Sequence, residues 1–200
     1  MFRSLVMSLA AAAVMALATA ASAQQTETAT FASGCFWCTE SDFEKVPGVI
    51  DATSGYLGGK TANPTYKEVS AGGTGHAEGV EVKYDPSKVT YQQLLDVYWK
   101  NVDPFDKGGQ FCDRGDQYRP AIFYHNDEQK RLAEDSKAAL EKSGRFKDPI
   151  VVEITQASTF TKAEDYHQNY ADKNPIQYII YRHGCGRDAR LQAIWGKPAS

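Results

Sequence analysis

Segments with strand patterns alternate with segments with helix patterns along most of the chain, and this alternation strongly constrains the fold. The stretch EGVEVKYD (78–85) alternates apolar and polar residues, as a half-buried strand does, and Asp85-Pro86 then predicts a turn. Thr90 and Gln93 have the spacing of a helix capping box, and apolar residues follow them at helical spacing. The other predicted strands are 29–34, 120–125, 150–155 and 176–181. Three further helices are predicted: one begins near Cys35, one covers 126–143, and one follows a capping box at Thr161 and Glu164.

The segments between these elements are long. Residues 55–75 hold six of the sixteen glycines, residues 103–119 are irregular, and the segment after Arg182 has little pattern. Loops of this length in a compact domain are usually functional. We therefore predict an α+β, two-layer, loop-rich domain with a C-terminal coil tail and with its chemistry on loops.

The N-terminal segment has the pattern of a secretory signal peptide. Arg3 precedes an apolar, alanine-rich run, and the small residues Ala21-Ser22-Ala23 follow it. The run is shorter than the roughly 20 strongly apolar residues that a membrane span needs. We predict that residues 1–23 are cleaved, that 24–200 form a single domain without a membrane segment, and that this domain is exported to the periplasm or secreted.

Charge and length narrow the classes of function. The formal net charge is −3 and the basic residues are scattered, so the sequence has no electrostatic footprint for nucleic acid or an anionic membrane. The mature chain is long enough to bury a core without disulfide staples. Its four cysteines are therefore free to serve chemistry rather than folding.

The stretch GCFWCTE contains one close pair of cysteines, Cys35 and Cys38. A structural zinc site usually needs two such pairs, whereas Cys112 stands alone and His183 lies too close to Cys185 to form a normal second pair. We therefore expect no metal. A purely structural set of disulfides remains an alternative at this point.

Position favours a redox role for the first cysteine. Cys35 follows a glycine at the predicted start of a helix, where backbone N–H groups and the helix dipole favour a thiolate. The rings of Phe36 and Trp37 offer an apolar wall beside the sulfur that suits a small apolar group such as a methyl. Ordinary core packing would also explain the two rings.

Five motifs in this order resemble the A-type peptide methionine sulfoxide reductases over roughly residues 29–182. They are GCFWxxE, GYxGG, GGTGHAE, QYRPAIFY and AEDYHQNY. The resemblance implies an α+β fold with a mixed β-sheet and no metal or organic cofactor. It also implies reduction of the S epimer of methionine sulfoxide, free or in oxidised proteins, to methionine, which repairs oxidative damage.

The resemblance also implies roles for individual residues. Cys35 attacks the sulfoxide sulfur, and Glu78 at the end of GHAE supplies a proton to the oxygen, because burial would keep this carboxyl protonated. Tyr56 and Tyr118 are expected to donate hydrogen bonds to the sulfoxide oxygen. Asp113 is expected to organise the same pocket.

Attack leaves Cys35 as a sulfenic acid, which a second cysteine converts to a disulfide and a thioredoxin-like dithiol then reduces. Three cysteines are candidates for this resolving role. We rank Cys185 first, because it lies between glycines in the C-terminal segment where family members commonly carry a resolving cysteine. Cys38 is second, since it stands at i+3 from Cys35 where the family usually has glycine, and Cys112 is third.

Two other functions remain open from the residues alone: a thioredoxin-like oxidoreductase built on Cys35 and Cys38, and a secreted binding module stapled by disulfides. We expect a monomer. His167 in YHQNY is expected to support the pocket rather than react.

Overall fold

A six-stranded β-sheet forms the centre of the computed structural model, which describes residues 25–196. The strands are β1 (Glu27–Ser33), β2 (Val49–Leu57), β3 (Ala77–Tyr84), β4 (Gly109–Gln110), β5 (Asp113–Arg114), β6 (Pro120–Tyr124), β7 (Glu153–Gln156) and β8 (Thr161–Lys162). The two-residue strands β4 and β5 pair only with each other and lie outside the six-stranded sheet. The order across the sheet is β7-β6-β1-β3-β2-β8. All neighbours are antiparallel except β6 and β7, which are parallel, so the sheet is mixed as predicted.

Seven α-helices accompany the strands among the described residues. They are α1 (Phe36–Glu44), α2 (Tyr66–Ser70), α3 (Tyr91–Lys100), α4 (Asp127–Lys142), α5 (Tyr170–Lys173), α6 (Pro175–Gly184) and α7 (Arg187–Trp195), with a 3₁₀ turn at Asp116–Tyr118. The main core lies between the sheet and α1, α3 and α4. At its centre Phe31 of β1 stacks on Phe43 of α1 and Tyr98 of α3, with ring centroids 4.8 and 5.2 Å apart.

The sequence predicts six of these elements correctly. The strands predicted at 29–34, 78–85 and 120–125 are β1, β3 and β6, and the helices predicted after Cys35, Thr90 and Asn126 are α1, α3 and α4. The capping box of Thr90 and Gln93 is present in both directions. The strand predicted at 150–155 forms only from Glu153 onward.

Two predictions about the C-terminal third are wrong. The strand predicted at 176–181 is helix α6, and the predicted coil tail is helix α7. Pro175 stands at the first position of α6, where its fixed φ suits a helix. Ile176, Ile179 and Ile180 have the i, i+3, i+4 spacing of one helix face, and their exposures of 70, 64 and 67 % show that this face lies in solvent. β-branched content therefore misled the prediction.

The capping box predicted at Thr161 and Glu164 is also absent. Thr161 lies in β8, where it pairs with Tyr56 of β2. The Glu164 carboxylate instead accepts hydrogen bonds from the Tyr56 hydroxyl and the Tyr66 backbone N–H, both at 2.8 Å. A tertiary contact thus replaces the local cap.

The C-terminal helix α7 is tied to the body of the domain by a buried arginine. Arg187 is 2 % exposed and donates to the carbonyl oxygens of Ser33 and Asn101 at 3.0 and 2.7 Å. These bonds fix the start of α7, and with it the preceding Cys185, close to the end of β1.

The predicted signal peptide, residues 1–23, lies outside the described residues. Among the residues that the structure describes, no helix is long and apolar enough to cross a membrane.

Candidate active site

Cys35 stands at the junction between β1 and α1. It is the N-cap residue of α1, as the sequence predicts, and Gly34 before it makes the turn at φ +89°. A Cβ on Gly34 would lie 2.6 Å from Cβ of Gln110, so both the backbone angle and the space require glycine. The sharp turn places the thiol at the edge of the sheet, where it is 6 % exposed.

A small cavity of about 60 Å³ opens at this thiol. It is lined by Cys35, Phe36, Trp37, Tyr66, Glu78, Asp113, Tyr118 and Tyr181. The structure therefore brings together six of the residues predicted from sequence, from three separate stretches of chain at 35–37, 78 and 113–118. The predicted Tyr56 is not among them, whereas Tyr66 and Tyr181 are additional.

Glu78 supplies the acid of the cavity. It lies in β3, is 2 % exposed, and its Oε2 accepts a hydrogen bond from the backbone N–H of Phe36 at 3.1 Å. Burial raises the pKa of this carboxyl to about 8. At neutral pH Glu78 is therefore mostly protonated, and it lies on the same cavity as Cys35.

Tyr66, rather than Tyr56, presents its ring to the cavity. Tyr56 does not line the cavity: its hydroxyl donates to Glu164 at 2.8 Å, and its ring packs against Phe36 with centroids 5.9 Å apart. Tyr66 is the first residue of α2, and burial raises its pKa to about 12. Burial also raises the pKa of Tyr118 above its ordinary value, so both cavity phenols keep their protons.

A signal for Tyr66 is present in the sequence. Thr65 and Glu68 form a reciprocal capping box, which predicts a helix beginning at Tyr66.

The apolar wall is held by a stack of rings behind it. Trp37 stacks on Tyr170 at 3.7 Å between centroids, and its indole N–H donates to Nδ1 of His167 at 3.0 Å. His167 packs against Phe36 at 4.9 Å and is 1 % exposed. It lies behind the wall rather than on the cavity, which agrees with the supporting role expected for it.

The electrostatics of the Cys35–Cys38 pair differ from the expectation that Cys35 is the thiolate. Burial raises the pKa of Cys35 well above its ordinary value, and the neighbouring Cys38 and Glu78 act in the same direction. The hydrogen bond with Cys35 lowers the pKa of the buried Cys38 to about 7, and the charges of Arg187 and Arg182 act in the same direction. Of the two thiols, Cys38 is therefore the one that ionises more readily.

The other two cysteines form a disulfide. Cys112 and Cys185 are joined with an S–S distance of 2.04 Å, and Cys35 and Cys38 are free. The structure therefore pairs Cys185, ranked first as resolving cysteine, with Cys112, ranked last, rather than with Cys35. The bond connects the loop before Asp113 to the end of α6.

These residues also bear on metal binding. Cys112, Asp113 and Cys185 bring one possible ligand atom each to within 4.8 Å of the others. Two of the three are sulfurs of the disulfide, however, and are not available as thiolate ligands in this state.

Comparison with known proteins places this arrangement in context. The family model described as "Peptide methionine sulfoxide reductase" matches residues 27–199. The chain is 53 % identical over 175 residues to the peptide methionine sulfoxide reductase MsrA of Bacillus licheniformis, which is 88 % of this chain and 97 % of that protein.

Solved structures agree with the sequence comparison. The reduced form of Mxr1 from Saccharomyces cerevisiae matches with a TM-score of 0.69 and 34 % identity over 76 % of this chain and 87 % of that one. The same yeast protein in complex with Trx2 matches with a TM-score of 0.50 and 26 % identity over 73 % of this chain and 85 % of that one.

Proposed function

The chain belongs to the family of peptide methionine sulfoxide reductases, and we propose that it reduces the S epimer of methionine sulfoxide to methionine in the cavity at Cys35. The observation that carries this proposal is the hydrogen bond between the buried carboxyl of Glu78 and the first turn of α1, the helix that Cys35 caps. Glu78 and Cys35 line one cavity of about 60 Å³, a volume that suits the end of a side chain.

The first step transfers oxygen to the protein. The Cys35 sulfur attacks the sulfoxide sulfur, Glu78 protonates the oxygen, and the oxygen passes to Cys35 as a sulfenic acid. The substrate sulfur gains two electrons and becomes a thioether, and the Cys35 sulfur loses two. Because Cys35 is a thiol at neutral pH, the neighbouring Cys38 thiolate is suited to take its proton during attack.

The other residues of the cavity orient the substrate and stabilise the negative charge that develops on its oxygen. Phe36 and Trp37 form the wall against which the S-methyl group packs. Tyr66 and Tyr118 keep their phenolic protons and donate to the oxygen as negative charge develops on it. One face for the methyl group and another for the oxygen would select a single epimer at sulfur.

The disulfide suggests how the sulfenic acid is resolved. Cys185 attacks Cys35 sulfenic acid, which gives a Cys35–Cys185 disulfide and water. Cys112 then attacks Cys185, which returns Cys35 to the thiol and forms the Cys112–Cys185 disulfide that the structure contains. Cys112 is exposed, so an external thioredoxin-like dithiol can reach this bond and reduce it. The yeast relative in complex with Trx2 supports a reductant of this kind.

The decisive experiment is a two-epimer assay. The purified protein is incubated with dithiothreitol and either the S or the R epimer of dabsyl-methionine sulfoxide, and methionine is followed by chromatography. Product from the S epimer alone is expected. Product from neither epimer, or from both at equal rates, would contradict the proposal.

The proposal extends to the compartment. Export with removal of residues 1–23 is supported by the signal-peptide pattern. We expect a monomer of residues 24–200. Mass spectrometry of periplasmic and cytoplasmic fractions tests export and cleavage, because an intact N-terminus or a cytoplasmic location would contradict export.

A further inference from the structure

Two cross-links join the same two segments beside the active site. The first is the disulfide from Cys112 to Cys185. The second is a hydrogen bond from the Tyr181 hydroxyl to Oδ2 of Asp113 at 2.5 Å. Asp113 follows Cys112 directly, and the backbone N–H of Cys185 donates to the carbonyl oxygen of Tyr181 at 2.8 Å, so the two cross-links lie side by side.

The second cross-link also reaches the nucleophile. Tyr181 lines the same cavity as the Cys35 thiol, and its ring stands edge-on to Trp37 with centroids 5.7 Å apart. Tyr181 thus lies between the nucleophile and the helix end that carries Cys185. It is the one residue of α6 on the cavity wall.

The two cross-links respond differently to the catalytic cycle. The disulfide must be open when Cys35 is oxidised, because a thiol is needed to attack the sulfenic acid. The Tyr181–Asp113 hydrogen bond does not depend on the redox state of the cysteines. It therefore continues to hold the end of α6 against the loop of Cys112 while the sulfurs are unbonded.

We propose that Tyr181 is a positioning residue for the resolution step, which holds the thiols of Cys185 and Cys112 within reach of Cys35 sulfenic acid. This inference rests on the proposed function, since it concerns the disulfide relay of the same reaction. The chemistry is unchanged by it: the resolving thiol displaces the sulfenic hydroxyl, and water leaves. Tyr181 affects only the rate of this step, because it holds the resolving thiol near Cys35.

The test separates the formation of the sulfenic acid from its decay. Fully reduced wild-type protein and Tyr181→Phe are mixed with one equivalent of the S epimer without reductant. Samples are quenched over time with dimedone, and mass spectrometry follows labelled Cys35 and the disulfides. In Tyr181→Phe we expect the sulfenic acid to persist about tenfold longer or more, since small misplacement of a reacting group has effects of this size. A larger share should then form a Cys35–Cys38 disulfide.

Two further variants make the test specific. Tyr178→Phe removes a phenol three residues earlier on α6 that contacts Arg182 instead of Asp113, and it should leave the lifetime unchanged. Asp113→Ala removes the acceptor of the hydrogen bond instead of the donor and should lengthen the lifetime of the sulfenic acid as Tyr181→Phe does. If one of the two variants folds poorly, the other still tests the inference.

Unchanged lifetimes in Tyr181→Phe and Asp113→Ala, or an equal delay in Tyr178→Phe, would overturn the inference. The proposed function is judged separately, by whether wild-type protein forms methionine in the same first turnover.

Discussion

The backbone N–H of Phe36 donates to Oε2 of Glu78 at 3.1 Å, so the acid is fixed to the first turn of the helix that follows the nucleophile. Cys35 and Glu78 are 43 positions apart in sequence, yet this bond makes their relative position a property of the α1–β3 contact. The position of the proposed acid therefore depends on the packing of α1 against β3.

Replacement of Glu78 by glutamine should slow the first chemical step by about a hundredfold or more, the scale expected for loss of a positioned acid. The amide oxygen can still accept from Phe36, so the fold should be retained. Single-turnover methionine formation is the measurement, with thermal unfolding as the control for folding. A rate within a few-fold of the wild-type value would remove Glu78 from the mechanism.

The pKa of Glu78, raised to about 8 by burial, predicts the alkaline side of the pH profile. The protonated carboxyl is the active form, so the rate of methionine formation should fall as pH rises through about 8. Single-turnover rates between pH 6 and 9.5 test this. The Glu78→Gln variant serves as the control, because its residual rate should lack this decline.

The tyrosines can be separated by their contacts. Tyr66→Phe should lower the rate of methionine formation by about tenfold to a hundredfold, because a donor to the developing negative charge is lost. Tyr56→Phe should instead lower the free energy of unfolding by about 1 kcal/mol through loss of the hydrogen bond to Glu164. The rates of methionine formation and the denaturant unfolding curves of both variants test this. A larger loss of rate in Tyr56→Phe than in Tyr66→Phe would assign the contact with the sulfoxide oxygen to Tyr56 instead.

Local signals in the sequence predict much of this molecule. The glycine before the helix predicts that Cys35 stands at a helix start, and strand alternation predicts that Glu78 stands at a strand start. Both residues lie at these positions in the structure. The motifs then indicate that the two meet. Such inferences succeed because capping and alternation are decided within a few residues.

The parts that were not predicted depend on tertiary contacts. Strand β2 escapes prediction because polar residues and a glycine interrupt its pattern, although it pairs on both sides with β3 and β8. Tyr56 belongs to a motif, but only the fold shows that its hydroxyl points to Glu164. The Cys112–Cys185 bond joins residues 73 apart, a distance in sequence over which no local pattern operates.

Gly34 offers a test of how strictly the nucleophile is placed. Gly34→Ala should lower the free energy of unfolding by about 1–3 kcal/mol, because a side chain is strained at φ +89° and its Cβ would meet Gln110. Activity should fall as Cys35 shifts. Gly184→Ala is the matched control, since a Cβ there meets nothing within 4 Å. Equal stability of the two variants would show that the turn tolerates a side chain.

The cysteines can be ordered by trapping one turnover in serine variants. Without reductant, every variant that keeps Cys35 should form about one methionine per protein, whereas Cys35→Ser should form none, because oxygen transfer needs this sulfur. Cys112→Ser should stop at a Cys35–Cys185 disulfide, since the second exchange has no thiol. Cys185→Ser should stop at the sulfenic acid or divert to Cys38, the buried thiol that already contacts Cys35.

Peptide mapping of the non-reduced variants reads out these bonds. Cys38→Ser should still form the Cys112–Cys185 disulfide, but more slowly, because the group proposed to take the Cys35 proton is lost. A quantitative Cys35–Cys112 disulfide in Cys185→Ser would make Cys112 the resolving cysteine and Cys185 its second partner. A Cys35–Cys38 disulfide as the main product of the wild-type protein would place resolution within α1 instead, and the Cys112–Cys185 bond would then be structural.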